Sequence, residues 1–591
     1  MRSFITILIF LYSGLMFAQS EELADEYFKR GEFEKALISY QKLNETKRSS
    51  KLVYKIVETL QQLERYDDAE GVIRQRMKEI NYPALLVELG FNYQLKDSLD
   101  QAQLYYRQAL DKITEKPTYT YGIAKKFEDH SLLEEALEAY ELGMSANPNL
   151  NFNIQMARIY GELGNIELLF SNYLDYVGAK PNFLSNAKRA FSDFISENKE
   201  NENNLVLRKL LLKKIQTQPD PYWYDFLSWL YIQQKEYNKA FIQEKALYRR
   251  TQESLSRIID LAMTTVNEDQ YEVANAIFTY ILDNSQDIDT RLTAHQYLLE
   301  IEIETSAKED MDNIDQKFNT LFDQYGKYEQ TIALQIAYGD FLAFNKHQPK
   351  TASAFLKKSL DLNLSPFQEA TVKLKLGDIL VFQERFNEAL IYYSQIQVNL
   401  KNSTISQEAR FKVAKTSYYK GDFDWAESQL KILKSSTSQL IANDALDLKL
   451  LISDNKDEDS LRTALKLYSK ADLMAFQNKN NEAISLIDKI LTEHKGESIE
   501  DQALFMQAKL FEKTKQMEKA EACYQYIIAN YRNDILVDDA LYYLAELYQY
   551  QLSQPEKAKE LYEKILFNHE DSIYFIEARK RFRMLRGDAI N

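Results

Sequence analysis

The fold is decided by the residues from Pro83 to Lys116, which read PALLVELGFNYQLKDSLDQAQLYYRQALDKITEK. The first part of this stretch places an apolar or small side chain at i, i+3, i+4 and i+7 of one helix face: Leu86, Leu89, Gly90 and Tyr93. After a short polar turn, a second stripe of the same kind follows: Leu99, Ala102, Tyr106, Ala109 and Leu110. The spacing predicts two amphipathic helices whose axes come close at the small residues Gly90 and Ala102. One such hairpin cannot bury its apolar faces alone, so the pattern predicts stacked neighbours.

The same hairpin recurs along the chain. Its second-helix alanine returns with steps of 33, 33 and 34 residues, and a leucine takes the next slot after a further 33: Ala36, Ala69, Ala102, Ala136 and Leu169. A fixed period of this length is typical of helical repeat proteins. With Gly90 and Tyr93 in the first helix and an Ala-aromatic-Ala pattern in the second, the unit resembles the tetratricopeptide repeat (TPR) family. The resemblance implies an all-α solenoid, a right-handed superhelix of helical hairpins, and a scaffold rather than an activity.

Length and composition agree with an α-solenoid. A chain of 591 residues is too long for one globular core, whereas each repeat of a solenoid contacts only its neighbours. Glycine (15) and proline (9) are scarce, while 40 Tyr and 31 Phe supply the bulk that packs between helices. The formal net charge of −16 argues against nucleic acid as a partner, because phosphates require a basic surface.

The N-terminus has a different character. Arg2 precedes an apolar run over residues 4–16, so residues 1–18 are predicted to be a secretory signal peptide and Gln19 the first residue of the mature chain. An uncleaved membrane anchor is the alternative, although the run is short for a bilayer span. No transmembrane segment is expected after cleavage. The single cysteine, Cys523, cannot form an intramolecular disulfide and is expected to be buried in a helix.

The repeat signature predicts two arrays. Repeats are clear up to Pro181, break at an Asn/Glu-rich loop over Ser196–Asn204, and resume at Pro221. The alanine step then lengthens to 37 residues, as between Ala389 and Ala426. Four segments follow the signal: an N-terminal TPR array (19–181), an irregular helical joint (182–220), middle TPR-like helices (221–365, with an open repeat count between 288 and 360), and a C-terminal TPR array with a capping helix (366–591).

The repeats from Ile499 to Leu585 resemble those of BamD- and YbgF-type envelope proteins of Gram-negative bacteria. Small and aromatic residues at the repeat positions carry the resemblance: Ala503, Ala508, Ala520, Tyr524, Ala540, Leu544, Ala545, Ala558, Tyr562 and the closing Asp571-Ser572-Ile573-Tyr574. Glu570 stands where that family's turn usually has proline, so the resemblance names no partner.

No catalytic constellation, cofactor site or metal site is expected. The sequence has no phosphate-binding glycine loop and no Gly-x-Ser-x-Gly motif. Five histidines are scattered without metal-ligand spacing, and each is expected at the surface or in a turn: His130, His295, His347, His494 and His569. Carboxylates alternate with lysines along helix faces, a pattern typical of a solvated surface.

Two aromatic clusters are candidates for partner binding. The TPR resemblance implies that ligand contacts come from the first helix of each pair, and two such helices carry the candidates: Tyr222, Asp225 and Trp229 in one, and Phe411, Lys415, Tyr418 and Tyr419 in the other. Clustered aromatics are typical of binding hot spots. The alternative is that they pack the core, and the sequence favours this alternative for both clusters.

The final helix is basic in an otherwise acidic chain. Five basic residues lie close together: Arg579, Lys580, Arg581, Arg583 and Arg586. Basic residues near a helix C-terminus complement the helix dipole, so a solubilised cap is the favoured interpretation. Weak docking of an acidic partner or an anionic membrane surface is the alternative.

Together these features predict a non-enzymatic protein-interaction scaffold, exported to the periplasm or cell envelope of a Gram-negative bacterium, whose partners are proteins or peptides. The alternative is a glycan- or small-ligand-binding envelope protein built on a TPR framework. Such proteins usually carry a lipid-anchor cysteine and long Trp- and Gly-rich insertions, and this sequence shows neither.

Overall fold

A computed structural model describes residues 21–588 except 48, 253, 308–309, 434–438, 457–460 and 533. These residues are mostly helical and include no β-strand, which confirms the predicted all-α class. The chain forms two compact units, one ending at Gln234 and the other beginning at Lys235. The predicted signal peptide and the predicted start at Gln19 lie outside the described residues.

The first unit contains thirteen α-helices within the described part of the chain. In order they are α1 (21–29), α2 (Phe33–Lys47), α3 (Ser50–Gln62), α4 (Tyr66–Glu79), α5 (Ala84–Leu95), α6 (Leu99–Glu115), α7 (Thr120–Asp129), α8 (Leu133–Ala146), α9 (Asn153–Glu162), α10 (Ile166–Ala179), α11 (Leu184–Phe191), α12 (Glu202–Thr217) and α13 (Pro221–Gln233).

The second unit contains nineteen α-helices among its described residues. They are α14 (Tyr237–Thr251), α15 (Ser256–Asn267), α16 (Tyr271–Asn284), α17 (Ile288–Thr305), α18 (Met311–Tyr325), α19 (Ile332–Asp340), α20 (Pro349–Ser359), α21 (Pro366–Phe382), α22 (Phe386–Asn399), α23 (Thr404–Lys420), α24 (Phe423–Leu433), α25 (Gln439–Asn455), α26 (Thr463–Phe476), α27 (Asn480–Glu493), α28 (Glu500–Lys513), α29 (Met517–Asn530), α30 (Val537–Glu546), α31 (Pro555–Asn568) and α32 (Phe575–Arg586). Cys523, on α29, is buried as expected, and burial raises the pKa of its thiol to about 11.

The small residues lie where helices approach most closely. A Cβ atom added to Gly90 of α5 would stand 2.5 Å from the Tyr106 ring and 3.1 Å from the carbonyl oxygen of Ala102, both on α6. Of the predicted second-helix alanines, Ala36, Ala69 and Ala136 are fully buried and Ala102 is 1% exposed. The sequence pattern therefore identified the helix–helix contact of the repeat correctly.

Each of the first five helical hairpins, from α1–α2 to α9–α10, turns on one residue with a left-handed backbone. Gly31, Glu64, Asp97, Ser131 and Gly164 have φ between 56° and 75°. The following N–H then donates back to the carbonyl five residues earlier, for example from Ser98 to Tyr93 at 2.9 Å. This is the hydrogen bond of a Schellman-type helix end, which satisfies carbonyls that the helix leaves open. The turn residues repeat with the same 33- to 34-residue period as the alanines.

The buried tyrosine of the second helix is anchored on the first helix of its own hairpin. The Tyr40 hydroxyl donates to Asp25 at 2.6 Å, Tyr140 donates to Glu128 at 2.6 Å, and Tyr393 donates to Asp378 at 2.6 Å. A buried hydroxyl without a partner would be destabilising, so the carboxylate lets an aromatic ring fill the core at little cost.

The Asn/Glu tract is a folded turn rather than an open loop. Residues 192–201 are non-helical, but Asn204 is fully buried and its Nδ2 donates to the carbonyl oxygens of Ser196 (2.7 Å) and Asn198 (2.8 Å). Asn201 caps α12, accepting from the N–H of Asn203 at 3.0 Å. The last residues of the predicted loop therefore form the first turn of α12, because an asparagine N-cap begins the helix there.

Candidate partner-binding face of the A helices

In each hairpin the first helix is here called helix A and the second helix B. Within each unit, neighbouring A helices contact one another, as α5 contacts α7 and α21 contacts α23, and the side chains at these contacts define the A-helix face. Ion pairs join neighbouring A helices across this face: Glu88 with Lys126 (2.8 Å), Lys188 with Asp225 (2.8 Å), Asp340 with Lys375 (2.5 Å) and Asp378 with Lys412 (2.9 Å). In three of these pairs the acid precedes the lysine by about one repeat, so the ion pair links equivalent positions of adjacent hairpins.

The first predicted cluster lies on α13. Tyr222 is half-buried, and its hydroxyl donates to Asp220 at 3.1 Å. Asp225 lies 2.8 Å from Lys188 of α11 and so takes part in the A-helix ion pairs. Trp229 is also half-buried and meets the edge of Phe226 with a centroid distance of 5.5 Å. The three residues line one helix, and each keeps part of its surface open to solvent.

The neighbouring aromatic residues of α13 belong to the core. Trp223 and Phe226 are fully buried, and Phe226 stacks on Phe191 of α11 with centroids 5.4 Å apart. One side of α13 therefore fills the interior, while Tyr222 and Trp229 remain accessible to solvent. Of the two tryptophans in this segment, only Trp229 can contact a partner without a change in the core.

The second predicted cluster lies on α23 and contacts a helix of the same chain. The Lys415 Nζ atom is 2.6 Å from Asp472 of α26 and 5.1 Å from the ring centroids of both Tyr418 and Tyr419. The Tyr419 hydroxyl is 3.5 Å from the same Asp472. Phe411 is half-buried against the core. The structure therefore brings these predicted residues together, but they contact α26 of the same chain instead of an external partner.

Tyr418 requires a correction. Its side chain is fully buried, and burial holds its pKa well above the ordinary tyrosine value. A side chain without exposed surface cannot contact a partner, so Tyr418 is a packing residue, as the core interpretation expected.

Helix α26 covers the A-helix face of the preceding hairpins. Phe476, at its end, stacks on Tyr419 (6.3 Å between centroids) and meets Phe382 of α21 edge-to-face at 6.1 Å. Gln477 Nε2 donates to the Phe382 carbonyl at 3.0 Å, and Leu473 is buried in the same core. The A-helix face at α21 and α23 is therefore occupied by the chain's own helix.

The first unit contains a buried charged cluster that the sequence pattern did not predict. Glu88 of α5 is only 4% exposed, and its Oε1 lies 2.8 Å from Lys126 Nζ and 3.2 Å from His130 Nε2. The His130 ring stacks on Phe91 at 3.9 Å, and Lys126 Nζ sits 4.2 Å from the centre of the Tyr54 ring on α3. His130 was expected as a simple turn residue, and its turn position is correct, but its ring packs into this cluster.

The electrostatics of this cluster follow from burial opposed by ion pairing. Burial pushes the pKa of Glu88 upward, but His130 and Lys126 outweigh it and hold the pKa below the ordinary glutamate value. Burial likewise acts to lower the pKa of Lys126, and Glu88 with Asp129 raises it above the ordinary lysine value. The pair is charged at neutral pH. For nearby Glu58, burial outweighs the lowering by Lys55, His130 and Lys126, so the pKa of Glu58 is raised.

The final helix is held by its own ion pairs. Arg581 lies 2.8 Å from Glu577, Arg586 pairs with Asp588, and Arg583 is 3.7 Å from the same Asp588. Ala578 and Phe582 are buried against the preceding hairpin. Much of the basic charge is thus neutralised locally, which agrees with a capping helix.

The fold and this face define a repeat protein of TPR-like helical hairpins. No family model and no curated protein matches the chain. Among solved structures, it is similar to Naa15/Naa10 bound to HypK-THB (11% identity, TM-score 0.28, 97% of this chain and 96% of that one). It is also similar to the APC/C hetero-tetramer Cut9–Hcn1 (13% identity, TM-score 0.25, 95% of each chain). Both TM-scores are low, so the fold assignment rests on the helix packing described above.

Two further observations concern membranes and metals. Among the helices within residues 21–588 as described, none combines the length and hydropathy needed to cross a bilayer. The same residues contain no group of three His, Cys, Asp or Glu side chains placed to hold a metal ion.

Proposed function

We propose that the chain is an exported, non-enzymatic scaffold that binds a protein or peptide partner through the A-helix face of its first unit. The observation that carries the proposal is the pair of half-exposed aromatics on α13, Tyr222 and Trp229, beside the Lys188–Asp225 ion pair. Tyrosine and tryptophan are the residues most enriched at binding hot spots, because they offer large contact areas at a small entropic cost. The second cluster is already in contact with α26, so the first is the site proposed for an external partner.

The periplasm or cell envelope is proposed as the location. Its support is the apolar run of residues 4–16 behind Arg2, which has the length and flanking charge of a cleaved signal. Sequencing the N-terminus of the exported protein tests this directly. Gln19 as first residue supports the proposal, whereas a mature form that keeps Met1–Ala18 contradicts it.

Affinity capture tests the interaction function. The tagged mature chain is incubated with a solubilised envelope fraction, and retained proteins are identified by mass spectrometry. A candidate partner is then purified and its dissociation constant measured with the mature chain alone. The proposal predicts at least one partner that binds directly and saturably. Retained proteins that fail to bind in the purified system would contradict it.

One observation favours the alternative of a small ligand. A cavity of about 370 Å³ lies among α17, α19 and α21, lined by Tyr297, Glu300, Asp340 and Lys375. Its volume falls in the usual range of ligand sites. Thermal unfolding in the presence of a panel of oligosaccharides measures this function: a saturable rise in melting temperature, abolished by Glu300→Gln, would support it.

A further inference from the structure

The second unit has a groove on the side of its B helices. It runs between α29 and α31 above α30, with a volume of about 720 Å³. Its floor is apolar and comes from all three helices: Ile528, Val537, Leu541, Leu544 and Leu561. The groove is distinct from the A-helix face, because α29 and α31 are the second helices of their hairpins.

The rim of the groove is basic, although the whole chain has a net charge of −16. Arg532, Lys557 and Lys564 line the rim and are exposed, while Glu560 is the one acidic residue in the lining. Among the described residues, none forms an ion pair with these three cations. With three cations against Glu560, the lining of the groove carries a net positive charge of two around an apolar floor.

The shape of the rim follows from α31 and the turn before it. Lys557 and Lys564 are seven residues apart on α31, which places them on the same helix face about 10 Å apart. A π-helical turn over Leu547–Gln551 directs Tyr548 into the groove, where its hydroxyl donates to Glu521 at 2.7 Å and accepts from Gln525 at 2.9 Å. Lys557 Nζ lies 4.9 Å from the centre of this ring, which helps to fix the lysine at the rim.

We infer that this groove binds an acidic amphipathic helix of a partner protein. An apolar stripe at i, i+3, i+4 and i+7 would lie in the groove against Ile528, the partly exposed residue of its floor. Carboxylates on the flanks of that helix, seven residues apart, would meet Lys557 and Lys564. A planar anionic membrane matches the charge but not the shape, because a single helix can lie in a concave groove between α29 and α31 and a planar surface cannot. The charge pattern excludes a basic partner.

The test uses a fluorescent 18-residue peptide with leucines on one helical face and glutamates on both flanks, titrated against the full mature chain. Binding is measured by fluorescence anisotropy, with a peptide of the same composition in scrambled order as the control. We expect saturable binding of the patterned peptide, and a loss of about tenfold or more in affinity for Lys557→Glu/Lys564→Glu. The matched control, Lys470→Glu/Lys495→Glu, makes the same change in net charge at exposed residues outside the groove and should bind as the wild type does.

Three outcomes would overturn the inference: no binding of the patterned peptide, equal binding of the scrambled peptide, or an equal loss in both double variants. Vesicles of anionic phospholipid are titrated in parallel, and binding that requires Lys557 and Lys564 for vesicles but not for the peptide would assign the groove to lipid instead. Circular dichroism melts of all variants confirm that they fold. The groove test is independent of partner capture through α13, so either can fail alone.

Discussion

At the scale of single residues, the left-handed turn residues set the length of each repeat. In the first unit only two of the five turn positions are glycine, Gly31 and Gly164, while Glu64, Asp97 and Ser131 adopt the same backbone. A side chain in this conformation costs about 1 kcal/mol or more, so the Schellman hydrogen bonds must offset that cost at each non-glycine turn. The repeat length is therefore fixed by backbone hydrogen bonding as well as by side-chain packing.

The first prediction compares two glycines with open surroundings. Neither Gly164 nor Gly71 would bring an added Cβ within 4 Å of another atom, but Gly164 has φ +72° and Gly71 lies within α4. Gly164→Ala should lower the free energy of unfolding by about 1 kcal/mol, because alanine resists the left-handed backbone. Gly71→Ala should raise it by about 0.5–1 kcal/mol, because alanine favours a helix. Urea unfolding measures both, and shifts of the same sign would contradict this account of the turns.

The second prediction concerns Glu88 and pH. Glu88→Gln should destabilise the first unit by about 2–3 kcal/mol at pH 7, because it leaves the buried Lys126 without its main partner. The folded-state pKa of Glu88 is lowered, so its contribution is present above the unfolded pKa of about 4.3 and is lost as the pH falls through the folded value. The difference between wild type and variant should therefore vanish in acid.

Melting temperatures measured from pH 7 to pH 3 check this expectation. Glu138→Gln, at an exposed position of α8, is the control and should change little at any pH. A Glu88→Gln difference that persists unchanged at pH 3 would show that packing, and not charge, explains the effect.

The sequence predicts the residues that have the same role in every repeat, but not the residues whose role depends on one local contact. Gly90 and Ala102 were identified because a small residue recurs at each helix contact. Glu88 and Lys126 were missed because alternating charges normally indicate a solvated surface. The available signal was an acid followed by a lysine about one repeat later, as with Asp378 and Lys412, and only the packing of A helices shows that such pairs meet.

At the scale of elements, α26 shows how one helix can deviate from the repeat rule. The sequence predicted that this segment belongs to the C-terminal array (366–591) but not its position against α21 and α23, because its contacts with Phe382 and Tyr419 join residues far apart in the chain. Hydrophobic periodicity identifies a helix and its apolar face, whereas the surface that this face covers depends on long-range packing. For the same reason, the exposure of a predicted hot spot such as Tyr418 could not be judged from the sequence.

The third prediction tests the A–B helix contact. Ala102→Trp should lower the melting temperature of the first unit, because Ala102 is 1% exposed and faces Gly90 across the hairpin. Overpacking of this kind typically costs about 1–3 kcal/mol, and in a repeat protein the strain reaches the neighbouring hairpins. Gln103→Trp places the same side chain at the adjacent exposed position and should have little effect. Equal melting curves for the two variants would mean that the helix faces are misassigned.

At the scale of the whole molecule, the position of the boundary between two arrays is still a prediction. The sequence predicts a joint at residues 182–220, while the boundary between the compact units falls between Gln234 and Lys235 along the chain. The Asn-rich turn over residues 192–201 is held by Asn204, yet its residues 197–200 are exposed. Both the turn and the unit boundary contain a lysine, so one protease can compare them.

The fourth prediction is that trypsin cleaves first after Lys199, because exposed non-helical segments are preferred sites of proteolysis. Lys235 is in a tight turn and lies 2.7 Å from Glu268, which should slow cleavage there. Mass spectrometry of the earliest fragments identifies the cut. A first cleavage after Lys235 would instead move the joint to the boundary of the compact units.

The central claim is that the A-helix face at α13 binds a partner, and the double variant Tyr222→Ala/Trp229→Ala tests it most directly. Its dissociation constant for a captured partner is measured together with its melting temperature, and Leu212→Ala, at a 40% exposed leucine of α12, is the control. Loss of hot-spot aromatics typically costs about 2–4 kcal/mol, so affinity should fall on the order of thirty- to a thousand-fold while the melting temperature stays within a few degrees. A lowered melting temperature with unchanged affinity would contradict the claim and assign both aromatics to the core.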